Sequence, residues 1–117
     1  MTRGTPTGDE LVEMLAALAN PIRLRIVATL AGGGRDYVSH LARVIGVSRP
    51  LLHMHLQRLE AVGLIVGRLE LSEDGKAMKF YDVADFDLHL TASALAEAAR
   101  TLTRSDPEKG PAPKEQS

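Results

Sequence analysis

Only three residues, Gly46-Val47-Ser48, separate two amphipathic stretches. Residues 38–45 carry Leu41, Ala42 and Ile45 toward one side, and residues 48–62 carry Leu52, Leu56 and Leu59 at i, i+4 and i+7. That spacing lines one face of an α-helix. Gly46 suits the cap of the first helix. Ser48 can accept a first-turn N–H of the second, and Pro50 falls in that first turn, where its missing N–H removes no needed bond. Two short helices across so tight a glycine turn form a helix-turn-helix. The face opposite the leucines repeats Arg49, His53 and Gln57 at spacing four, with Met54 and Arg58 beside them. Arginine can bond guanine edges bidentately, glutamine can read adenine, and each can meet phosphate. The plainer alternative is an ordinary solvated helix face.

The segment after the second helix narrows that choice. Two strand-like runs, residues 65–71 and 77–83, flank "SEDGK", and Asp74-Gly75 is a strong hairpin signal. A helix-turn-helix followed by a hairpin is a winged helix. Upstream, Thr7 and Glu10 fit a capping box, after which Leu11, Met14, Leu15 and Leu18 form an apolar stripe. Asn20-Pro21 restarts the chain as an N-cap and first helical residue, and Ile22, Ile26, Val27 and Leu30 give the next helix its buried face. Gly32, Gly33 and Gly34 end it; no Gly-Lys-Ser/Thr follows, so this is not a phosphate loop. A last helix is expected from near Asp85 to about Leu102, with Leu88, Ala92, Leu95, Ala99 and Leu102 close to a heptad seam. The expected architecture is mainly α with a small β-hairpin wing. Residues 1–8 are expected to be a flexible N-terminus, 9–102 the winged helix-turn-helix and dimerisation domain, and 103–117 a disordered tail without large apolar residues. The first and last helices are expected to form a homodimer interface through Leu11, Leu15 and Leu18 together with the heptad seam.

The chain's 117 residues suggest one domain, and the absence of cysteine excludes disulfides and thiolate metal sites. The net charge of −1 points to no partner by itself. Between Ser39 and Arg68, however, Arg43, Arg49, Arg58 and Arg68 face Glu60 alone, a local basic patch. No apolar run approaches a membrane span and no signal-peptide core is visible, so a soluble cytoplasmic protein with no membrane partner is expected. There is no cysteine nucleophile, nucleotide loop or His-Glu-x-x-His helix, so the chain does not read as an enzyme.

"ALANPIRLRIVATLAGG" resembles the second-helix signature of ArsR-type (ArsR/SmtB) winged-helix transcriptional regulators. Leu41-Ala42, Gly46-Val47-Ser48, His55-Leu56, Leu59 and Gly63-Leu64-Ile65 resemble that family's helix-turn-helix pattern, and "KFYDV" its wing-closing strand. The resemblance runs in one register from residue 11 to residue 102. It implies double-stranded operator DNA as partner. Contacts are then expected from Ser48, Arg49, Pro50, Leu51, His53, Met54, Gln57 and Arg58 on the recognition helix, and from Arg68, Lys76 and Lys79 on the wing. His55 is expected to pack between the recognition helix and the rest of the domain. The chain departs from the family at Leu51 and His53, where Ser or Thr is common, and at the acidic wing tip, Glu73 and Asp74, which would repel phosphate unless turned away.

The family senses metals at recurrent places. The cysteine pair of its third helix is missing from "DYVSHLA". Asp87-Leu88-His89 matches one half of its last-helix site, an Asp-x-His pair, but Arg100 and Thr103 stand where the partner's ligand pair is expected. The plainer readings are helix-start charge for Asp87 and a surface histidine for His89; His40 is a spare donor. The chain as a whole resembles a nickel-dependent member of the family, which implies nickel as effector. A site built from imidazole, carboxylate and water suits nickel, with zinc or cobalt as alternatives. His53 and His55 cannot chelate one ion together, because residues two apart on a helix diverge by about 200°. One other reading stays open, a winged-helix protein-interaction module with no metal sensing or a different effector; a metal-handling protein is a further candidate partner.

Overall fold

A computed structural model describes residues 5–103 of the 117. Of the expected disordered tail, residues 103–117, Thr103 is described and bonds Asp9, while residues 104–117, like the first four, lie outside the described residues. The elements run α1 (Gly8–Leu18), α2 (Pro21–Gly33), β1 (Asp36–Tyr37), α3 (Val38–Ile45), α4 (Arg49–Ala61), β2 (Ile65–Leu71), β3 (Ala77–Val83) and α5 (Ala92–Ala99). This is a winged helix-turn-helix, as the sequence implies.

Four of the five helix starts are fixed by a side-chain cap; α3, which follows Tyr37, has none. Thr7 accepts from Glu10 N at 3.1 Å while the Glu10 carboxylate accepts from Thr7 N at 2.9 Å, a complete capping box. Residues 7 and 8 are thus part of the folded domain, which begins earlier than the expected boundary at residue 9. Asn20 Oδ1 accepts from Ile22 N at 2.9 Å and Arg23 N at 3.1 Å, with Pro21 at the first helical position. Ser48 Oγ accepts from Leu51 N at 3.2 Å. Between α3 and α4 the chain turns on Gly46, whose φ of 85° is left-handed, with its N–H bonded to the Ala42 carbonyl at 2.8 Å.

The core forms where the apolar faces meet. Leu52, Leu56 and Leu59 of α4 are fully buried against Met14 and Ala17 of α1, Ile26, Val27 and Leu30 of α2, Leu41 and Ala42 of α3, and Leu64, Ile65 and Tyr81 of the sheet region. The sheet is antiparallel in the order β1-β3-β2, and the hairpin register pairs Ile65 with Val83 and Leu71 with Ala77. β1 pairs Asp36 with Tyr81 and Tyr37 with Phe80; the sequence reading did not anticipate it. No single helix among the described residues is long and apolar enough to cross a membrane.

The last helix corrects the sequence reading. It spans only Ala92–Ala99, begun by Thr91, whose hydroxyl accepts from Ala94 N at 3.0 Å. Upstream, Ala84 N still bonds the Leu64 carbonyl at 2.9 Å. Phe86 and Leu88 then pack on the core while Asp85, Asp87 and His89 between them are exposed. Burial that alternates every second residue belongs to extended chain and cannot be satisfied by a helix. Leu88 therefore covers its own core and is no part of a helical seam. Leu11 is corrected in the same way: it is buried inside its own chain and cannot form a partner surface. Leu15 and Leu18 are half-buried, Leu18 against the core. Leu95 and Leu102 remain exposed, as do Ala92 and Ala99.

α5 is fastened to the start of α1. Gly8 N donates to Thr101 Oγ1 at 2.7 Å, Thr103 N donates to Asp9 Oδ1 at 3.1 Å, and the Thr103 hydroxyl donates to the other Asp9 oxygen. These bonds hold the Asp9 carboxyl below the usual carboxylate range.

Leu56→Ala should destabilise the domain by about 2–5 kcal/mol, the cost of a cavity in a packed core. Urea unfolding followed by circular dichroism measures it.

Candidate nucleic-acid interface

The leucine stripe of α4 leaves its other side free. Arg49, Pro50, Leu51, His53, Met54, Gln57 and Arg58 are all exposed. Met54 is 64% exposed and Leu51 39%, so neither is held by the chain's own core. A surface of arginine, imidazole, amide and thioether offers donors, acceptors and apolar contact to base edges, including thymine methyl groups. Ser48 is exposed beside the first turn, but its hydroxyl is engaged as the cap.

The helix does not stand alone. Arg49, Pro50, His53, Met54 and Gln57 share a groove with Tyr37, Val38 and Ser39 and with Ala77, Met78 and Lys79 at the start of β3. The groove exists because β1 is only two residues long: β3 is paired by it at Phe80 and Tyr81 and has an open edge from Ala77 to Lys79. Lys79 thereby joins the site, with its ammonium 5.5 Å from the Tyr81 ring centre. Lys76 lies in the wing turn, exposed, its N–H bonded to Ser72 Oγ at 3.1 Å. Arg68 is not brought to this groove. It sits with Arg35, Glu70, Phe80 and Asp82 in a separate depression on the sheet, where Arg35 pairs with Glu70 and lies 4.6 Å from the Phe80 ring centre. Strand alternation sends Arg68 to the face of Glu70 and Phe80, and Lys79 to the face of Gly67 and Tyr81.

At the wing tip, the Asp74 carboxylate accepts the Ser72 hydroxyl, which holds its pKa below the usual value. It stays ionised but is turned back into its own turn. Glu73 is exposed.

His55 is half-buried on the inner side of α4, as the sequence implies, and its Nδ1 lies 3.2 Å from Arg23 Nη1. Burial first, and the Arg23 charge second, lower its pKa below the ordinary imidazole value. Sequence reasoning missed Arg23. Only its place in the apolar-looking second helix, with no carboxylate nearby in sequence, could have marked it.

The candidate metal donors sit elsewhere. Asp87 borders a cavity of about 580 Å³ with Glu10, Glu13 and Glu60; His89 does not line it. Both lie on the solvent side of the extended segment before α5. His40 is paired with Asp36 at 2.5 Å, and its ring lies 6.0 Å from that of Tyr37. Among the described residues no group of three or more His, Cys, Asp or Glu side chains is placed to hold an ion. The described residues of one copy therefore supply an incomplete donor set.

This fold and this exposed helix define a winged helix-turn-helix transcriptional regulator. Residues 18–68 match a family model described as a helix-turn-helix domain. A helix-turn-helix-type transcriptional regulator of Methanocaldococcus jannaschii is 32% identical over 81 residues, covering 69% of this chain and 83% of that protein. The helix-turn-helix-type transcriptional repressor SmtB of Mycobacterium tuberculosis is 35% identical over 91 residues, covering 77% of this chain and 63% of that protein. Among solved structures, the homodimeric winged helix-turn-helix DNA-binding domain of a possible ArsR-family regulator from Mycobacterium bovis superposes with a TM-score of 0.58 at 26% identity, covering 79% of this chain and 74% of that one. The transcriptional repressor BigR from Xylella fastidiosa gives 0.56 at 26% identity, covering 79% of each chain. The chain belongs to the ArsR/SmtB family of winged helix-turn-helix transcriptional regulators.

Arg49→Ala and Gln57→Ala should leave folding stability within about 0.5 kcal/mol of the parent, because both side chains leave the core untouched. Thermal melting measures this, and a larger loss would place these residues inside the packing.

Proposed function

We propose that the chain acts in the cytoplasm as a homodimer that lays α4 of each copy in the major groove of operator DNA, and that a divalent metal tunes this binding. The observation that carries the reading is the division of α4: three fully buried leucines behind, and Arg49, His53, Met54 and Gln57 exposed in one groove with Lys79. Reading two half-sites about one helical turn, ~34 Å, apart requires a fixed pair of such helices. Arg49→Ala should weaken binding to a selected duplex by about 1–3 kcal/mol, as expected for a base-reading arginine. Parent-like affinity at moderate salt, in a mobility-shift titration, would remove Arg49 from the interface.

For the dimer, support comes from the apolar surface that α1 and α5 leave uncovered: Val12 at 56% exposure and Leu95 at 46%, with Ala16, Ala92 and Ala99. Oligomer interfaces of this kind are self-complementary about a two-fold axis. Leu95→Glu should give monomers by sedimentation, with weakened DNA binding; a dimeric variant would move the interface elsewhere.

The metal reading rests on the exposed Asp87 and His89, on the donor chemistry of a chain without thiolates, and on the resemblance to a nickel-dependent relative. Because the described residues of one copy bring no third donor to Asp87 and His89, water or the second copy would complete the coordination. Nickel is the expected effector, with zinc and cobalt as alternatives. A metal shifts DNA affinity only if it binds one dimer geometry better than another. Nickel should change the affinity for DNA, and His89→Ala should abolish that change while keeping metal-free DNA binding. Undiminished nickel binding by His89→Ala would put the site elsewhere.

A second reading, a protein-interaction module, is favoured by the wing, where Leu69 and Leu71 are 69% and 75% exposed beside an acidic tip. Failure of the parent to shift any duplex at low salt would decide for it.

A further inference from the structure

Arg23 links three helices by directed hydrogen bonds. It stands in the first turn of α2, next to the Asn20 cap. Its Nε donates to the Ala17 carbonyl at 2.7 Å, in the last turn of α1. Its Nη1 reaches His55 Nδ1 on α4 at 3.2 Å. Guanidinium is a planar fork of donors with no acceptor, so it can span two acceptors held at a fixed separation. The same fact settles the imidazole: Nδ1 must be the unprotonated acceptor, with the ring proton on Nε2. A proton on Nδ1 would set an N–H against an N–H and bring two cations together.

We infer that Arg23 and His55 form a proton-sensitive strut that fixes the angle between the recognition helix and α1, and with it the half-site separation the dimer reads. The inference rests on the DNA-binding, dimeric reading above. Arg23 and His55 are positioning residues; neither lies in the groove that α4 presents outward. The apolar core holds α4 against the domain, but leucine packing tolerates small rotations, whereas two directed hydrogen bonds from one rigid group do not. The charged group facing the imidazole is Arg23 from α2; α1 presents the Ala17 carbonyl to that guanidinium. Among the described residues no carboxylate pairs with either side chain, so nothing there would compensate a second positive charge. Burial and Arg23 both favour neutral His55. The strut is therefore intact above the ordinary imidazole value of 6.5 and is lost as pH falls through the lowered value in the fold.

The test uses a two-half-site duplex selected from a random pool by the parent, the same half-sites moved apart by one base pair, and a lone half-site. The readout is the ratio of affinities for the two spacings, because a change that acts on each recognition helix by itself alters both spacings alike. At about pH 7.5, His55→Leu should lose at least about fivefold of the parent's spacing preference, the scale of one hydrogen bond to a charged group. Its affinity for the lone half-site should be unchanged. His55→Asn, whose carbonyl oxygen replaces Nδ1 as acceptor and does not titrate, should keep the preference. As pH falls from about 7.5 to below the midpoint of the His55 titration, followed by NMR of the imidazole ring, the parent should lose its preference and His55→Asn should not. If His55→Leu does not fold, Arg23→Lys, which has one nitrogen for two acceptors, takes its place. The strut is overturned if either variant keeps the parent's preference, if the parent keeps it at the lower pH, or if His55→Asn loses it alongside the parent. A parent that selects no duplex, or that sediments as a monomer, overturns the functional reading instead.

Discussion

The molecule depends on a division within one helix. Leu52, Leu56 and Leu59 are wholly buried, and every other layer of the domain is arranged to receive them. Their burial, together with the Gly46 turn, fixes how α4 lies on the domain. Because an α-helix separates its faces by geometry, fixing the inner three positions also fixes which residues look outward. Arg49, His53 and Gln57 need no partners of their own to be held in position. They inherit it from the core, which is how an interface can be polar, exposed and still ordered.

The wing contributes in a more selective way than its composition suggests. Its three cations fall in three places. Lys79 is carried to the α4 groove by strand register, Lys76 rides on the turn, and Arg68 is delivered to the other face among carboxylates and Phe80. Strand alternation is indifferent to charge, so a basic residue in a wing is no evidence of a basic groove. The Ser72–Asp74 contact likewise occupies at the tip an acid that would otherwise face outward.

How legible each part was in the sequence depends on the range of the forces involved. Thr7, Asn20, Ser48, Gly46 and the Asp74-Gly75 turn act on residues within a few positions, and the helix starts and hairpin bounds they imply agree with the structure. The recognition-helix stripe was equally plain. The start of α5 was not. Leu88, Ala92, Leu95, Ala99 and Leu102 have helical spacing, yet Phe86 and Leu88 are drawn to the core from extended chain, and that pull comes from residues distant in sequence. β1 exists only because β3 passes beside it. Leu11 shows the limit most clearly: an apolar stripe does not say whether its partner is the same chain or another copy. The pairing of Arg23 with His55, thirty-two residues apart, leaves as its local mark only an arginine in a helix without carboxylates.

Gly8 sets a limit of a different kind. A methyl group there would come within 2.3 Å of the Ala98 carbonyl oxygen, closer than any real side-chain carbon approaches. The crossing of α1 and α5 is thus a contact of backbone with backbone, locked at its rim by Thr101 and Thr103. Side chains can repack and so absorb a displacement; two main chains in contact have no such slack. At this crossing no side-chain layer lies between the helices, so their separation is set by the two backbones themselves, and any residue larger than glycine at position 8 would force them apart.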